Sequence, residues 1–183
     1  MPLVAKIAVL SLAVGVALPS QRPPSCAVGP GTFISDSGVG KLRIGLTDAA
    51  VLRICHVIAD TMITNDDYVE MERVLFVDMG CDTVIAALGA DSTIDRIDVR
   101  SPVLRTRDGL RVGLRLRDLL RSRAATAGIG EASVFLHLPS HCGLAFTLSD
   151  GEGVQGEEFT YDQIRRWNPD IRVTRIAIRG CRT

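Results

Sequence analysis

The sequence predicts an α+β fold. Tandem αβββ repeats form one antiparallel sheet, with short helices packed on one of its faces. Three observations predict this. The stretch Gly40-Lys-Leu-Arg-Ile-Gly45-Leu-Thr-Asp-Ala-Ala-Val-Leu-Arg53 recurs as Gly109-Leu-Arg-Val-Gly113-Leu-Arg-Leu-Arg-Asp-Leu-Leu-Arg121. Further on, Asp95-Arg-Ile-Asp-Val-Arg100 recurs as Thr174-Arg-Ile-Ala-Ile-Arg179. Cys81 and Cys142 then fall at equivalent places, each just before the middle strand of its unit. A unit of this kind exposes one apolar sheet face that it cannot bury alone, so helices must cover it or two sheets must merge. About six strands are expected.

In the first unit, Thr47 is placed to cap a helix over Asp48–Cys55. Ala50, Val51, Ile54 and Cys55 line its apolar side at i, i+3, i+4 spacing. Asp60 to Glu72 is polar and acidic and reads as a loop. Val74–Val77, Val84–Leu88 and Ile94–Val99 read as strands, the last half-exposed because Asp95, Arg96 and Asp98 interrupt its apolar pattern. In the second unit a helix is expected over Leu114 to about Arg123 and a small-residue loop over Ala124–Gly130. Strands follow over Val134–Leu138 and Leu144–Leu148, then an acidic loop over Asp150–Gly156. Phe159–Trp167 reads as a helical insert that Asn168-Pro169 stops, and Ile171–Ile178 is the last strand.

The ends bound the compartment. Lys6 precedes an uncharged apolar run, Ile7 to Ala17, with small residues at Gly15 and Ala17. This is the pattern of a signal peptide over residues 1–17. The run is too short for a stable membrane span, which needs roughly 20 residues. Residues 18–38, rich in Pro, Gly and Ser, read as a flexible lead. Residues 39–183 form a single domain of two repeats, 39–105 and 106–183, so the chain is expected to be secreted or periplasmic. With 21 basic and 21 acidic residues the net charge is zero, and bulk electrostatics names no partner. A neutral exported chain poor in stacking aromatics is not expected to bind nucleic acid.

Five cysteines in an exported chain read as disulfides with one left over. Cys26, in the lead, is the candidate for the odd one. Cys55, Cys81, Cys142 and Cys181 are the disulfide candidates. They allow three connectivities, of which Cys55–Cys81 and Cys142–Cys181 are preferred. Each bridge would stabilise by roughly 3 kcal/mol.

The segment Ile97-Asp-Val-Arg-Ser101-Pro102-Val-Leu-Arg-Thr106-Arg-Asp-Gly109-Leu-Arg-Val-Gly113 resembles a motif of uncharacterised exported bacterial proteins. In these a strand ends in Ser-Pro and Gly-apolar-x-Val-Gly opens a helix. The tandem helix-plus-sheet plan is similar to that of beta-lactamase inhibitory proteins and of small outer-membrane assembly lipoproteins. That resemblance implies binding of a protein in the cell envelope or outside the cell, without catalysis. It carries over no contact residue.

Candidate chemistry is sparse. His137, His141 and Cys142, with Cys55-His56, contain zinc-ligand types but no spacing that lets them reach one ion, and no cofactor is expected. A thiol-dependent hydrolase using Cys142 or Cys55 with a nearby His is the enzyme alternative; a purely structural envelope protein is another. Arginines crowd residues 100–123, and Arg115, Arg117 and Arg121 are the candidates for a partner-facing surface, unless they pair with acidic loops across the fold. Trp167 reads as a core or edge residue, or an interface anchor. The functional expectation is a non-catalytic protein-binding module, an inhibitor or envelope accessory protein.

Overall fold

The computed structural model describes residues 26–29, 31–64, 71–121, 124–129, 133–149 and 158–181. The signal-peptide segment 1–17 and the acidic stretch 150–157 lie outside these. Three two-residue strands, β1 (Ile34–Ser35), β2 (Gly38–Val39) and β3 (Leu42–Arg43), form a small sheet. Then come α1 (Asp48–Ile54), β4 (His56–Thr64), β5 (Met71–Asp78), β6 (Thr83–Leu88) and β7 (Ile94–Val99). The second half runs α2 (Leu116–Leu119), β8 (Thr126–Ile129), β9 (Val134–His137), β10 (Leu144–Leu148), β11 (Glu158–Phe159), α3 (Tyr161–Ile164) and β12 (Val173–Ile178).

Nine strands, not six, make the main sheet, in the order β11-β8-β9-β10-β12-β7-β6-β5-β4, and its pairs are antiparallel. The three extra strands are those whose side chains do not advertise them. Residues 60–64, read as loop, belong to β4, a long edge strand with most side chains exposed. Residues 126–129, also read as loop, form β8. The third is β11, where Phe159 pairs as strand instead of opening the helical insert. Backbone pairing holds all three, and small or polar side chains do not forbid it. The lead is corrected too. Residues 31–38 belong to the fold: Ile34 and Val39 are buried, and the Ile34 N–H donates to the Arg105 carbonyl at 2.8 Å.

One sheet face carries the core. Leu75, Val77, Val84, Ala86, Ile97, Val99, Ile176, Ile178, Leu144, Phe146, Val134 and Leu136 fall on it in register, and all are buried. Val51 of α1, Leu116 and Leu119 of α2, and Ile164 of α3 join the same cluster, as do Val39 and Leu42 of the small sheet. The helices therefore cover this face, and the other is left open. α1 forms where predicted: the Thr47 side chain accepts a hydrogen bond from the Ala50 N–H. α2 is a single turn, shorter than expected, because the chain before it pairs with residues 171–173 instead of coiling.

That pairing occurs twice. The Gly45 N–H donates to Ile94 O, Ile94 N–H to Leu46 O and Asp48 N–H to Ser92 O, at 2.8–3.0 Å. The Gly113 N–H donates to Val173 O, Val173 N–H to Leu114 O and Leu116 N–H to Ile171 O, at 2.7–2.9 Å. Both turns need a left-handed residue, and glycine supplies it with φ of 83° and 84°. The two similar segments 95–100 and 174–179 meet at the centre of the sheet. There β7 pairs with β12, Ile97 opposite Ile178 and Val99 opposite Ile176. Among the described residues four strands of the sheet follow α1 and five follow α2, the last of them after α3, where three were expected in each unit.

The disulfides differ from the preferred pattern at one end. Cys142 bonds Cys181, but Cys55 bonds Cys26, and Cys81 is free and exposed. The Val28 N–H donates to Met79 O at 2.9 Å, which lays the lead against the end of α1 and brings Cys26 onto Cys55. Cys81 sits on the turn between β5 and β6. Two bridges fit a compartment outside the reducing cytoplasm. Among the described residues no helix is long and apolar enough to cross a membrane.

At the far edge Arg73 ties α1 to β4, bonding Asp48 at 3.0 Å and Asp60 at 2.7 Å. Hydrogen bonds from Arg73, reinforced by its charge, hold the Asp60 carboxyl below its usual range.

Two predictions follow from this geometry. Alkylation of the folded, unreduced chain should modify Cys81 and none of the other cysteines; a labelled Cys26 or Cys55 in the peptide map would refute the Cys26–Cys55 pairing. A carboxyl whose folded pKa is depressed contributes stability above its unfolded value and loses it as the pH falls through the folded one. The stability gap between wild type and Arg73→Gln should therefore shrink from about pH 5 to about pH 2 in urea titrations. A constant gap would mean that the Arg73–Asp60 pair contributes nothing.

Candidate functional site: the groove between α2 and α3

The second clasp sets α2 beside the segment that follows α3. Leu116 N–H donates to Ile171 O at 2.7 Å and Arg117 N–H to Pro169 O at 3.2 Å. α3 begins with a capping box: Thr160 and Gln163 bond reciprocally across its first turn. Ile164 turns inward and is fully buried. The Tyr161 hydroxyl donates to Leu120 O at 3.5 Å, closing α3 onto α2.

Between them lies an open groove of about 380 Å³. Leu116, Leu120, Ile164 and Trp167 supply its apolar walls, and Arg117, Arg121 and Arg165 its rim. Trp167 is half-buried and packs edge-on against Phe159, with ring centroids 5.1 Å apart. It thus braces the core while lining the groove. The Arg165 guanidinium lies 5.5 Å from the Tyr161 ring centroid, a cation–π contact that keeps the charge at the mouth.

All three predicted partner-face arginines belong to this neighbourhood. Arg117 and Arg121 line the groove, and Arg115 flanks it. They are exposed, with 38%, 50% and 78% of the Arg115, Arg117 and Arg121 side chains open. They also have acidic partners in the fold: Arg115 and Arg117 reach Asp170 at 3.1 and 3.7 Å, and Arg121 reaches Asp118 at 3.0 Å. Exposed pairs of this kind are worth about 0–1 kcal/mol. They can be exchanged for a partner's carboxylate at little cost. Tyr161 and Arg165 complete the groove and were not singled out from the sequence. The Asn168-Pro169 stop marks a helical insert in the sequence, but no local signal places α3 against α2.

The other candidates are dispersed. His56 pairs with Asp78 at 3.3 Å and His141 with Asp108 at 3.2 Å. Partial burial lowers the His137 pKa, opposed by a backbone hydrogen bond at Leu144, and the Arg179 charge lowers it further. Asp36 lies near the sulfurs of Cys142 and Cys181, but the two sulfurs are bonded to each other. The bridges likewise take up Cys55 and Cys142, removing the thiolate on which the hydrolase alternative depends.

No protein-family model matches the chain, and no curated protein sequence matches it. Among solved structures it is similar to the crystal structure of the uncharacterized protein yfeY from Escherichia coli. The TM-score is 0.56 at 22% identity, over 81% of this chain and 99% of that one. The likeness is one of fold. It extends to nearly the whole length of yfeY, so the sheet with its short helices is a shared frame. The chemistry of the groove must be argued from this chain's own residues.

Charge reversal at Arg117 and Arg121 together is expected to leave the fold intact. The thermal midpoint should move by no more than a few degrees, as exposed pairs predict. Loss of cooperative unfolding would make these arginines structural and remove them from any partner surface.

Proposed function

We propose that this chain is a secreted or periplasmic, non-catalytic protein-binding module, an inhibitor or accessory of an envelope protein. In this reading it is built from two copies of one helix-plus-sheet unit. The single observation that carries the binding reading is the α2–α3 groove: apolar side chains with Trp167 among them, a rim of arginines, and no carboxylate among its described lining residues. Aromatic and arginine side chains are the types that dominate binding energy at protein interfaces. An apolar side chain of a partner fills the groove, and an adjacent carboxylate displaces Asp170 or Asp118 from the rim. The two clasps at Gly45 and Gly113, with matching hydrogen bonds, support the repeat reading.

The test is retention from an envelope extract of cells exporting the chain, at low salt. Wild type should retain a discrete protein; Trp167→Ala, and Arg117→Glu with Arg121→Glu, should each lose it while remaining folded. Retention that is indifferent to both variants would put the interface elsewhere. No retained protein at all would favour a purely structural role.

A further inference from the structure

Three of the five cysteines gather at one corner of the main sheet, and only two of them are joined. Cys55 lies between α1 and β4. The β4–β5 register sets Val57 opposite Val77 and His56 opposite Asp78, and one more step leads Cys55 toward Met79. Cys26 is bonded to Cys55, their Cα atoms 4.7 Å apart. Cys81 stands on the β5–β6 turn, exposed and with a free thiol.

The segment that carries Cys26 runs along that turn. The Val28 N–H donates to Met79 O at 2.9 Å. One residue on, a Cβ placed on Gly80 would stand 2.9 Å from the Ala27 Cβ, so the two backbones touch there. With Val28 beside Met79 and Ala27 beside Gly80, the two segments run in opposite directions. The next step leads Cys26 toward Cys81. A disulfide needs Cα atoms about 4.4–6.8 Å apart, a spacing that residues facing each other across antiparallel backbones already approach. The turn itself is fixed. Gly80 adopts a φ of 78°, its N–H donates to the Asp78 carboxylate at 2.7 Å, and the Met79 N–H donates to Asp82 O at 2.8 Å. Cys55 is fixed too, its N–H donating to Val51 O at 2.8 Å. Of the two bonded sulfurs, that of Cys26 therefore belongs to the segment in contact with the turn.

We propose that Cys81 exchanges with this bridge. The Cys81 thiolate attacks the Cys26 Sγ. A Cys26–Cys81 bond forms as the Cys26–Cys55 bond breaks, the electron pair leaves on the Cys55 Sγ, and a proton from solvent restores the Cys55 thiol. One thiol and one disulfide enter the step and one of each leaves it, so no oxidant or reductant is consumed. Residue 26 is tied to the end of α1 before the step and to the β5–β6 turn after it. The chain thus holds a redox-sensitive latch whose third cysteine sets where it fastens. Cys26 and Cys55 are only 3% and 1% exposed, so Cys26–Cys55 is the resting pair, and exchange waits for this corner to open. Alkylation of Cys81 in the resting fold removes the attacking thiol. The inference does not rest on the α2–α3 groove.

The test holds the full, unreduced chain for hours at mildly alkaline pH, where thiols are partly ionised, in urea below the unfolding transition. Acid quenching and peptide mapping then read the bridges. Wild type should accumulate Cys26–Cys81 with a free Cys55, and prior alkylation of Cys81 should abolish this product. Cys55→Ala, folded and oxidised with glutathione disulfide, should close Cys26–Cys81 within one chain. The inference is overturned if wild type never yields Cys26–Cys81, or if Cys55→Ala keeps both thiols or joins them only between chains. It is overturned as well if Cys55–Cys81 forms in its place. Pairing of Cys81 with Cys142 or Cys181 as often as with Cys26 would make the reaction general scrambling and would equally overturn it.

Discussion

The structure depends on one antiparallel pairing, that of β7 with β12. On one side of it the meander β6-β5-β4 runs outward, and on the other β10, β9, β8 and β11, which lie between β7 and β12 in the chain, run outward. Among the described residues only this ladder joins the two within the sheet. Its inward residues, Ile97, Val99, Ile176 and Ile178, are all fully buried and form the middle of the core. Its outward residues are charged or small, and this is why the open face is not a second core. Because β7 lies at the centre and not at an edge, Arg96 and Asp98 are buried there despite their charge, and Arg96 pairs with both Asp98 and Glu72. Removing one member of such a group leaves an uncompensated buried charge, among the costliest kinds of substitution.

What the sequence made legible follows from how side chains report burial. β10 alternates cleanly and was found to the residue, as was the Thr47 cap of α1. β7 was found, but its polar pattern was taken for exposure; a buried ion network gives the same pattern as a solvated face. β4 and β8 were missed because backbone hydrogen bonds hold them and their side chains stay largely outside the core. The small sheet β1–β3 was missed because its strands have two residues each, below the length at which alternation carries a signal. Cys26 was misjudged for the same reason: a lead without periodicity gives no hint that it folds back onto α1. Arg117 and Arg121 were legible as a charged face, while their setting among Trp167, Tyr161 and Arg165 depends on a long-range clasp that no local pattern encodes.

A net charge of zero hides this arrangement, because the sequence separates its charges by spacing and not by excess. Arginines recur at intervals of four: Arg96 and Arg100, Arg175 and Arg179, Arg117 and Arg121. Four is an even number, so in a strand both residues face the same way. It is also close to one helical turn, so around α2 both again share a side. One spacing therefore gathers guanidinium groups on a common surface whichever element the chain adopts. Here it does so twice, once beside the helices that cover the core and once on the sheet face turned away from it. The acidic counter-charges are spread differently. Asp118 and Asp170 hold their arginines through exposed, exchangeable contacts, whereas Glu72 and Asp98 hold Arg96 in a buried one. A partner can displace the first kind and cannot displace the second. In the groove, then, the arginines themselves are available to a ligand's anions. On the sheet, Arg96 is fixed in the frame, while Arg100 and Arg179 are exposed.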